Sequence, residues 1–183
     1  MWNKKVLMAT NLQFIKSIKI TTEQSTTSVT NVFSDAYSVY EIYADGISTV
    51  GTNQSDLNMR FIDSSDNVIS DNEYDYAHKI MRADTTFSEQ KNTGQAQFLR
   101  AFSESTDKKP EGQGAKICVF NPYDSDTYTY ITYQSNTTTS ALKIAMKGIG
   151  VHKSVERITG FQMHEINGSR PYNSGHITVY GVK

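Results

Sequence analysis

The four histidines are the residues of this sequence best suited to holding a transition metal. His164 and His176 lie in two C-terminal segments with strand-like alternation, where neighbouring strands would bring them together, and His78 and His152 lie elsewhere. A zinc site needs several ligands near tetrahedral geometry, usually begun by a closely spaced pair. No His-x-His or His-x-x-x-His spacing occurs. We therefore predict no metal ligands and no cofactor.

Clustered aspartates are the other candidates for ion binding, in this case of calcium. Asp63, Asp66 and Asp71 lie in one turn-rich region, and Asp124 and Asp126 lie in another. Calcium needs more oxygen ligands than either cluster supplies, and the spacing does not match an EF-hand, which also requires a terminal glutamate. Because aspartate side chains stabilise turns through hydrogen bonds to nearby backbone, we interpret both clusters as turns.

No pattern typical of a catalytic site is present in the sequence. It contains no Gly-x-Ser-x-Gly nucleophile motif, and nothing singles out two carboxylates as a glycosidase pair. Gly148 and Gly150 lack the third glycine and the following helix of a phosphate-binding loop. Cys118, the only cysteine, lies in a strand-like pattern, where we expect a small buried apolar residue. We predict no catalytic residues and no enzymatic activity.

Tyrosine is the residue type with the most to offer for binding. One segment holds Tyr123, Tyr128, Tyr130 and Tyr133, and another holds Tyr74 and Tyr76. An aromatic ring with a polar tip suits cross-strand pairing, a subunit interface or stacking on a sugar. Tyr128 and Tyr130 are the candidates for an interface. Tyr123, with Asp124 and Asp126 beside it, is the candidate for binding a glycan.

Length and composition limit where these residues can be placed. A chain of 183 residues is long enough to bury a core without a metal or a disulfide, and its net charge of -1 favours neither nucleic acid nor an anionic membrane. The apolar runs are far shorter than the roughly 20 residues that a membrane-spanning helix requires. A single cysteine excludes an intramolecular disulfide, as expected for a chain folded in a reducing cytoplasm.

Apolar residues recur with a period of two, which is typical of strands. Strand-like runs occur in 12–20, 37–45, 57–63, 74–81, 128–133, 142–146, 158–166 and 177–182. We predict an all-β fold, a jelly-roll-like antiparallel β-sandwich of roughly 8–10 strands. The segment Ala115–Phe120, apolar throughout most of its length, is predicted to be a central strand buried on both faces. The segments 21–30, 85–95 and 103–114 are predicted to be long loops, and the turn at 63–67 is predicted to lead into Val68.

The N-terminal ten residues differ from the rest of the chain. Residues 1–10 are predicted to form an arm, and residues 11–183 the sandwich domain. Trp2 and Leu7 supply apolar surface that a partner would bury, and Lys4 and Lys5 supply positive charge for an acidic site. We predict that this arm anchors the domain to a neighbouring protein.

Several blocks of the sequence resemble one family of proteins. The opening block is Ala9–Ser17, followed by Met59–Asp63, Glu73–Ala77, Val119–Tyr123 and the ending Gly175–Lys183. Together they are similar to small virion structural proteins of tailed bacteriophages of the marine, cyanophage type, and the similarity spans nearly the whole chain beyond residue 8. Modules of this kind decorate capsids or occur in tails and fibres. The resemblance implies no catalytic residues.

This resemblance implies a non-enzymatic virion protein, either a capsid decoration protein or a tail or fibre component, made in the cytoplasm of the bacterial host. The expected partners are other virion proteins and copies of the chain itself, in a homo-oligomer such as a trimer, with no nucleic acid and no membrane insertion. Many copies on one particle multiply weak contacts through effective concentration. The alternatives are a tail-associated receptor-binding module that recognises a host surface glycan, and a hydrolase of host polysaccharide.

Overall fold

The computed structural model describes residues 11–50, 55–84, 87–104, 113–139, 142–166, 168 and 170–183. Eleven strands lie within these ranges: β1 (Leu12–Ile20), β2 (Thr26–Val29), β3 (Val39–Thr49), β4 (Leu57–Asp63), β5 (Tyr74–Arg82), β6 (Ser88–Gln95), β7 (Gly114–Phe120), β8 (Thr129–Thr139), β9 (Leu142–His152), β10 (Ile158–Glu165) and β11 (Tyr172–Val182). Among the described residues there is no helix of the length and apolarity that crossing a membrane would require.

The strands form two antiparallel sheets of unequal size. The larger has eight strands in the order β1-β11-β3-β7-β8-β9-β5-β6, and the smaller has three in the order β2-β10-β4. Every strand pairs with its neighbours in the antiparallel sense. The predicted all-β antiparallel sandwich is confirmed, with slightly more strands than expected.

Two of the strands lie where loops were predicted. β2 occupies part of 21–30 and is only four residues long. β6 occupies part of 85–95 and has the sequence SEQKNTGQ, which contains no large apolar residue. Both lie at the edge of their sheet. An edge strand pairs on one side only and is often polar, so apolar alternation does not reveal it.

The prediction that β7 is buried on both faces was wrong for one of them. Ala115, Ile117 and Val119 are buried, whereas Lys116, Cys118 and the other residues that alternate with them are partly exposed. The larger sheet is therefore covered on one side only at this strand, as is common for antiparallel sheets.

The core lies between the two sheets and draws on both. The larger sheet supplies the inward side chains of β3, β7, β8 and β11, including Tyr40, Ile42, Ile117 and Val179, and the smaller sheet supplies those of β2, β4 and β10. Phe98, Ala101 and Phe102, from the turn region after β6, are fully buried in the same cluster. The opposite face of the larger sheet, called here the outer face, is left accessible.

Candidate functional site

Cross-strand register aligns apolar residues of β7, β8, β9 and β5 on the outer face. Phe120 pairs with Tyr130, and Tyr130 pairs with Val151. In the next outward row, Ile149 pairs with Ala77. We call these five residues the apolar strip. Directly opposed side chains on one face contact each other, so the strip is a continuous surface.

The apolar strip is open to solvent. Ile149 is 61% exposed and Tyr130 is 50% exposed. A groove of about 640 Å³ follows the strip, and its lining also includes Thr132, Lys91 and Asn92. Exposed apolar residues that lie next to one another mark a binding surface more often than isolated ones do.

Period-two phase explains why the strip lies on the outer face. Ile144 and Met146 point inward along β9, so the same phase places Gly148 inward and Ile149 outward. A beta carbon on Gly148 would overlap the ring of Tyr133, which fills the space beneath the strand. The sequence therefore contains a signal for this surface, because Ile149 is an apolar residue at an outward-facing position of a strand. The sequence analysis considered its neighbours Gly148 and Gly150 only as a possible phosphate-binding loop.

The outer face becomes charged farther from the strip. Lys116 Nζ lies 2.6 Å from Glu41 Oε1, and the Tyr43 hydroxyl donates a 2.6 Å hydrogen bond to Glu41 Oε2. Burial acts to raise the pKa of Glu41, but the hydrogen bonds from Lys116 and Tyr43 outweigh it and hold that pKa below its ordinary value. The positive charge of Lys116 and the negative charge of Glu41 therefore compensate each other within the sheet.

Cys118 lies beside this ion pair and is half-buried rather than fully buried. Burial, followed by the nearby carboxylate of Glu41, raises the pKa of its thiol. A thiol whose pKa is raised has little thiolate at neutral pH, so the structure offers no activated nucleophile at this position.

The tyrosines predicted for an interface are divided by the fold. Tyr130 lies in the apolar strip, whereas Tyr128 is exposed but does not line the groove. Tyr133 points inward from β8 and its hydroxyl lies 2.9 Å from Nδ1 of His78. The predicted anchor residues Trp2, Lys4, Lys5 and Leu7 lie outside the described residues.

The glycan candidates are only partly brought together. Tyr123 and Asp124 line a cleft of about 210 Å³ whose other walls include Asp35 and Tyr37. Asp126 does not line this cleft, and its backbone N–H donates a 2.9 Å hydrogen bond to Asp124 Oδ1. Asp124 thus closes a local turn as well as facing the cleft.

The aspartate cluster at 63–71 contains a turn of the same kind. Asp63 Oδ1 accepts backbone hydrogen bonds from Ser65 and Asn67, each at 2.8 Å. Asp66 has a φ of 63°, in the left-handed region that aspartate tolerates in turns. After this turn the chain reverses direction, and Val68 forms an antiparallel bridge with Ile62, as predicted for the turn at 63–67.

The histidines do not form the cross-strand pair considered from the sequence. His164 lies on β10 in the smaller sheet and His176 on β11 in the larger, so the two strands are not neighbours. His164 is buried, whereas His176 is exposed and its Nδ1 lies 3.6 Å from Asp45 Oδ1.

Burial of His164 should make the stability of the fold depend on pH. Burial lowers the pKa of His164 to about 4, helped by Arg60 and opposed by Glu165, against 6.5 for a free histidine. The unfolded chain therefore binds this proton more tightly. The contribution to stability is complete above about pH 6.5 and is lost as pH falls towards 4. Between pH 7 and 5, the free energy of unfolding should fall by about 2 kcal/mol through this residue.

Urea denaturation at pH 7 and pH 5 measures this effect. His164→Asn does not titrate and keeps an N–H near the 3.3 Å contact that His164 Nδ1 makes with the Glu165 carbonyl. We expect this variant to lose about 2 kcal/mol less than the wild type over that interval. His176→Asn, at an exposed position, should retain the wild-type profile. Parallel profiles for wild type and His164→Asn would contradict the prediction.

These features define a class: an antiparallel β-sandwich with an accessible apolar strip on its larger sheet. No protein-family model matches the sequence, and no curated protein is similar to it. Among solved structures, the CBM2 module of Lactobacillus casei BL23 phage J-1 evolved Dit aligns over 96% of this chain and 79% of its own. The identity is 8% and the TM-score is 0.25, a likeness too low to establish a common fold.

Proposed function

We propose that this chain is a non-enzymatic structural protein of a bacteriophage particle, either a capsid decoration protein or a tail or fibre component. In this proposal it attaches through the apolar strip to copies of itself and to other virion proteins. The virion assignment rests on the sequence resemblance described above. The attachment surface rests on one observation, the exposure of Tyr130 and Ile149, which are diagonal neighbours across the β8–β9 pair on the outer face.

The chemistry of the strip suits a protein partner. Its members are aliphatic and aromatic, and the charged residues Lys91 and Asp75, which are not part of the strip, also line the groove. Protein interfaces commonly have an apolar centre, depleted in charge and enriched in aromatic residues, within a polar rim. The strip has five residues, fewer than the roughly 20–30 per partner of a standard interface, so repeated copies would add their weak contacts through effective concentration.

A charge placed at the centre of the strip should prevent attachment. Ile149→Lys puts an ammonium group where the proposed contact excludes water, and burying an unpaired charge is costly. We expect its incorporation into particles to fall at least about tenfold, because a loss of about 1.4 kcal/mol per contact already reduces affinity by that factor. Immunoblots of particles purified after the variant replaces the wild-type chain would measure this.

Ile166→Lys is the matched control for this experiment. Ile166 is 43% exposed, follows β10 in the smaller sheet and is absent from the outer-face groove. This variant should be incorporated normally. Circular dichroism of both variants would show that the fold is retained. Equal incorporation of the two variants would refute the strip as the attachment surface.

The polar cleft at Tyr123 favours a second candidate function, binding of a host surface glycan. It combines an aromatic ring with Asp35, Asn121 and Asp124, which could hydrogen-bond sugar hydroxyls. The Arg157 guanidinium lies 5.6 Å from the ring centroid of Tyr123, so one face of the ring is already occupied. A glycan array separates the two functions, because attachment by subunit contact alone predicts no binding to sugars.

A further inference from the structure

His152 is a buried side chain whose ring receives no hydrogen bond from the residues that the structure describes. It ends β9 and pairs with Tyr74 on one side and Thr129 on the other. Its ring centroid lies 4.7 Å from that of Tyr74 and 5.7 Å from that of Phe61, and its side chain is 0% exposed. Within the described ranges, neither ring nitrogen makes a hydrogen bond. Since buried polar groups are nearly always satisfied, this arrangement calls for an explanation.

Two carboxylates face the same ring nitrogen. His152 Nε2 lies 3.4 Å from Glu73 Oε2 and 3.8 Å from Glu156 Oε1. All three ligand atoms lie within 4.8 Å of one another. Glu73 immediately precedes β5, and Glu156 lies in the connection between β9 and β10. The backbone N–H of Lys153 donates to the Glu73 carbonyl at 2.9 Å, which holds these two segments together.

The basic residues closest in sequence do not neutralise this cluster. Lys153 Nζ lies 2.9 Å from Asp75 Oδ1, and Arg157 lies over the ring of Tyr123. Burial raises the pKa of Glu156; a hydrogen bond from Ser154 opposes this effect, and the nearby carboxylates, beginning with that of Glu73, add to it. Burial also lowers the pKa of His152 to about 4, so its imidazole is neutral at pH 7. The cluster therefore combines acidic oxygens with a nitrogen lone pair.

We propose that Glu73, His152 and Glu156 bind one divalent transition-metal ion, Zn²⁺ in the first instance. Ligands about 2.0–2.1 Å from a tetrahedral zinc ion lie about 3.3 Å from one another. The separations of 3.4 and 3.8 Å from the imidazole nitrogen need only a few tenths of an ångström of movement to match. A set of one imidazole and two carboxylates suits zinc or manganese better than calcium, which binds through oxygen.

The ion would join three parts of the chain that local sequence does not connect. These are the residue before β5, the end of β9 and the β9–β10 connection. Three protein ligands leave a coordination position for water or for a group from a partner. The proposed site differs from the sequence-based expectation of no metal, which considered closely spaced histidines, whereas the pair here is His152 with Glu156, four residues later.

Isothermal titration of the tag-free, EDTA-treated and dialysed full chain with Zn²⁺ would test the site. We expect one ion per chain with a Kd in the micromolar range or below. With Zn²⁺ at about a hundredfold excess over Kd, the midpoint of thermal unfolding should rise by about 5–10 °C. Mn²⁺ should bind more weakly, as the Irving–Williams order requires, and Ca²⁺ more weakly still.

Three variants locate the binding. Glu73→Gln and Glu156→Gln keep side-chain size, and His152→Phe keeps an aromatic ring against Phe61 and Tyr74; each should weaken Zn²⁺ binding at least tenfold. His176→Phe removes the exposed histidine near Asp45 and should bind Zn²⁺ as the wild type does. Circular dichroism would establish that each variant is folded. No binding at 1 mM Zn²⁺, or binding unchanged in the two glutamine variants, would overturn the proposal.

Discussion

Replacing Gly160 with alanine should destabilise the protein by about 3 kcal/mol or more, or prevent folding. Gly160 lies on β10, the central strand of the smaller sheet, and pairs with Ile62 of β4. A beta carbon at this position would lie 3.0 Å from the alpha carbon of Thr30 and even closer to the carbonyl oxygen of Val29. Both are backbone atoms, so no change of side-chain rotamer relieves the overlap.

The backbone that Gly160 contacts is held in place. The segment after β2 is tied to β10 because the N–H groups of Val32 and Phe33 both donate to the Thr159 carbonyl, at 2.9 and 3.1 Å. Movement away from the new methyl group would break these bonds as well as the packing. Gly160 is not in the left-handed backbone region, so the expected cost arises from space alone.

Gly114→Ala is the matched control. The heavy atom nearest to its beta carbon would be Asn136 Oδ1 at 3.1 Å, the far end of a side chain that can rotate. We expect this variant to lose about 1 kcal/mol or less. Equilibrium denaturation in urea would compare the two. Similar losses for both alanine variants would show that the close approach at Gly160 is not the cause.

Phe161→Ala should remove about 3–5 kcal/mol of stability. The Phe161 side chain is fully buried, and its ring centroid lies 6.0 Å from that of Phe102 and 6.1 Å from that of Phe33. It pairs with Val29 on one side and Phe61 on the other, at the centre of the three-stranded sheet. Truncation would leave a cavity at the place where the smaller sheet meets the loop segments that carry Phe33 and Phe102.

Phe14→Ala tests whether burial is the reason. Phe14 is 55% exposed on β1, and its ring centroid lies 6.1 Å from that of Tyr180. Its removal should cost less than about 1 kcal/mol, because little apolar surface is withdrawn from the core. Urea midpoints and slopes for both phenylalanine variants would be compared with the wild type. A loss for Phe161→Ala as small as that for Phe14→Ala would contradict the position of the core described here.

Strands with clear alternation were predicted well because one face of each is buried. Tyr74, Tyr76 and Ile80 alternate with less buried neighbours along β5, as their sequence indicates. Prediction failed for β6, although it follows its partner β5 directly in the chain, because its residues are polar on both faces and show no apolar alternation. It also failed for the outer side of β7, where exposure depends on which strands cover the sheet.

The candidate sites were predicted less completely. Tyr130 was predicted to be an interface residue from its type, which stays a prediction, and its side chain lines the groove along the apolar strip. Ile149 and Phe120 were not predicted to belong to a binding surface. Each is a single apolar residue in its own strand, and only the register between strands brings it next to other apolar residues. The cluster of Glu73, His152 and Glu156 was missed for the same reason, since Glu73 lies far from the other two in the chain.

By itself the amino-acid sequence determined the all-β class and the turns, because alternation and turn chemistry act between residues that are close along the chain. Only the tertiary structure decided the division into eight and three strands and the separation of His164 from His176. It also decided that a histidine and two glutamates meet at the end of β9. These outcomes depend on strand pairing and packing across long sequence separations, which no local pattern encodes.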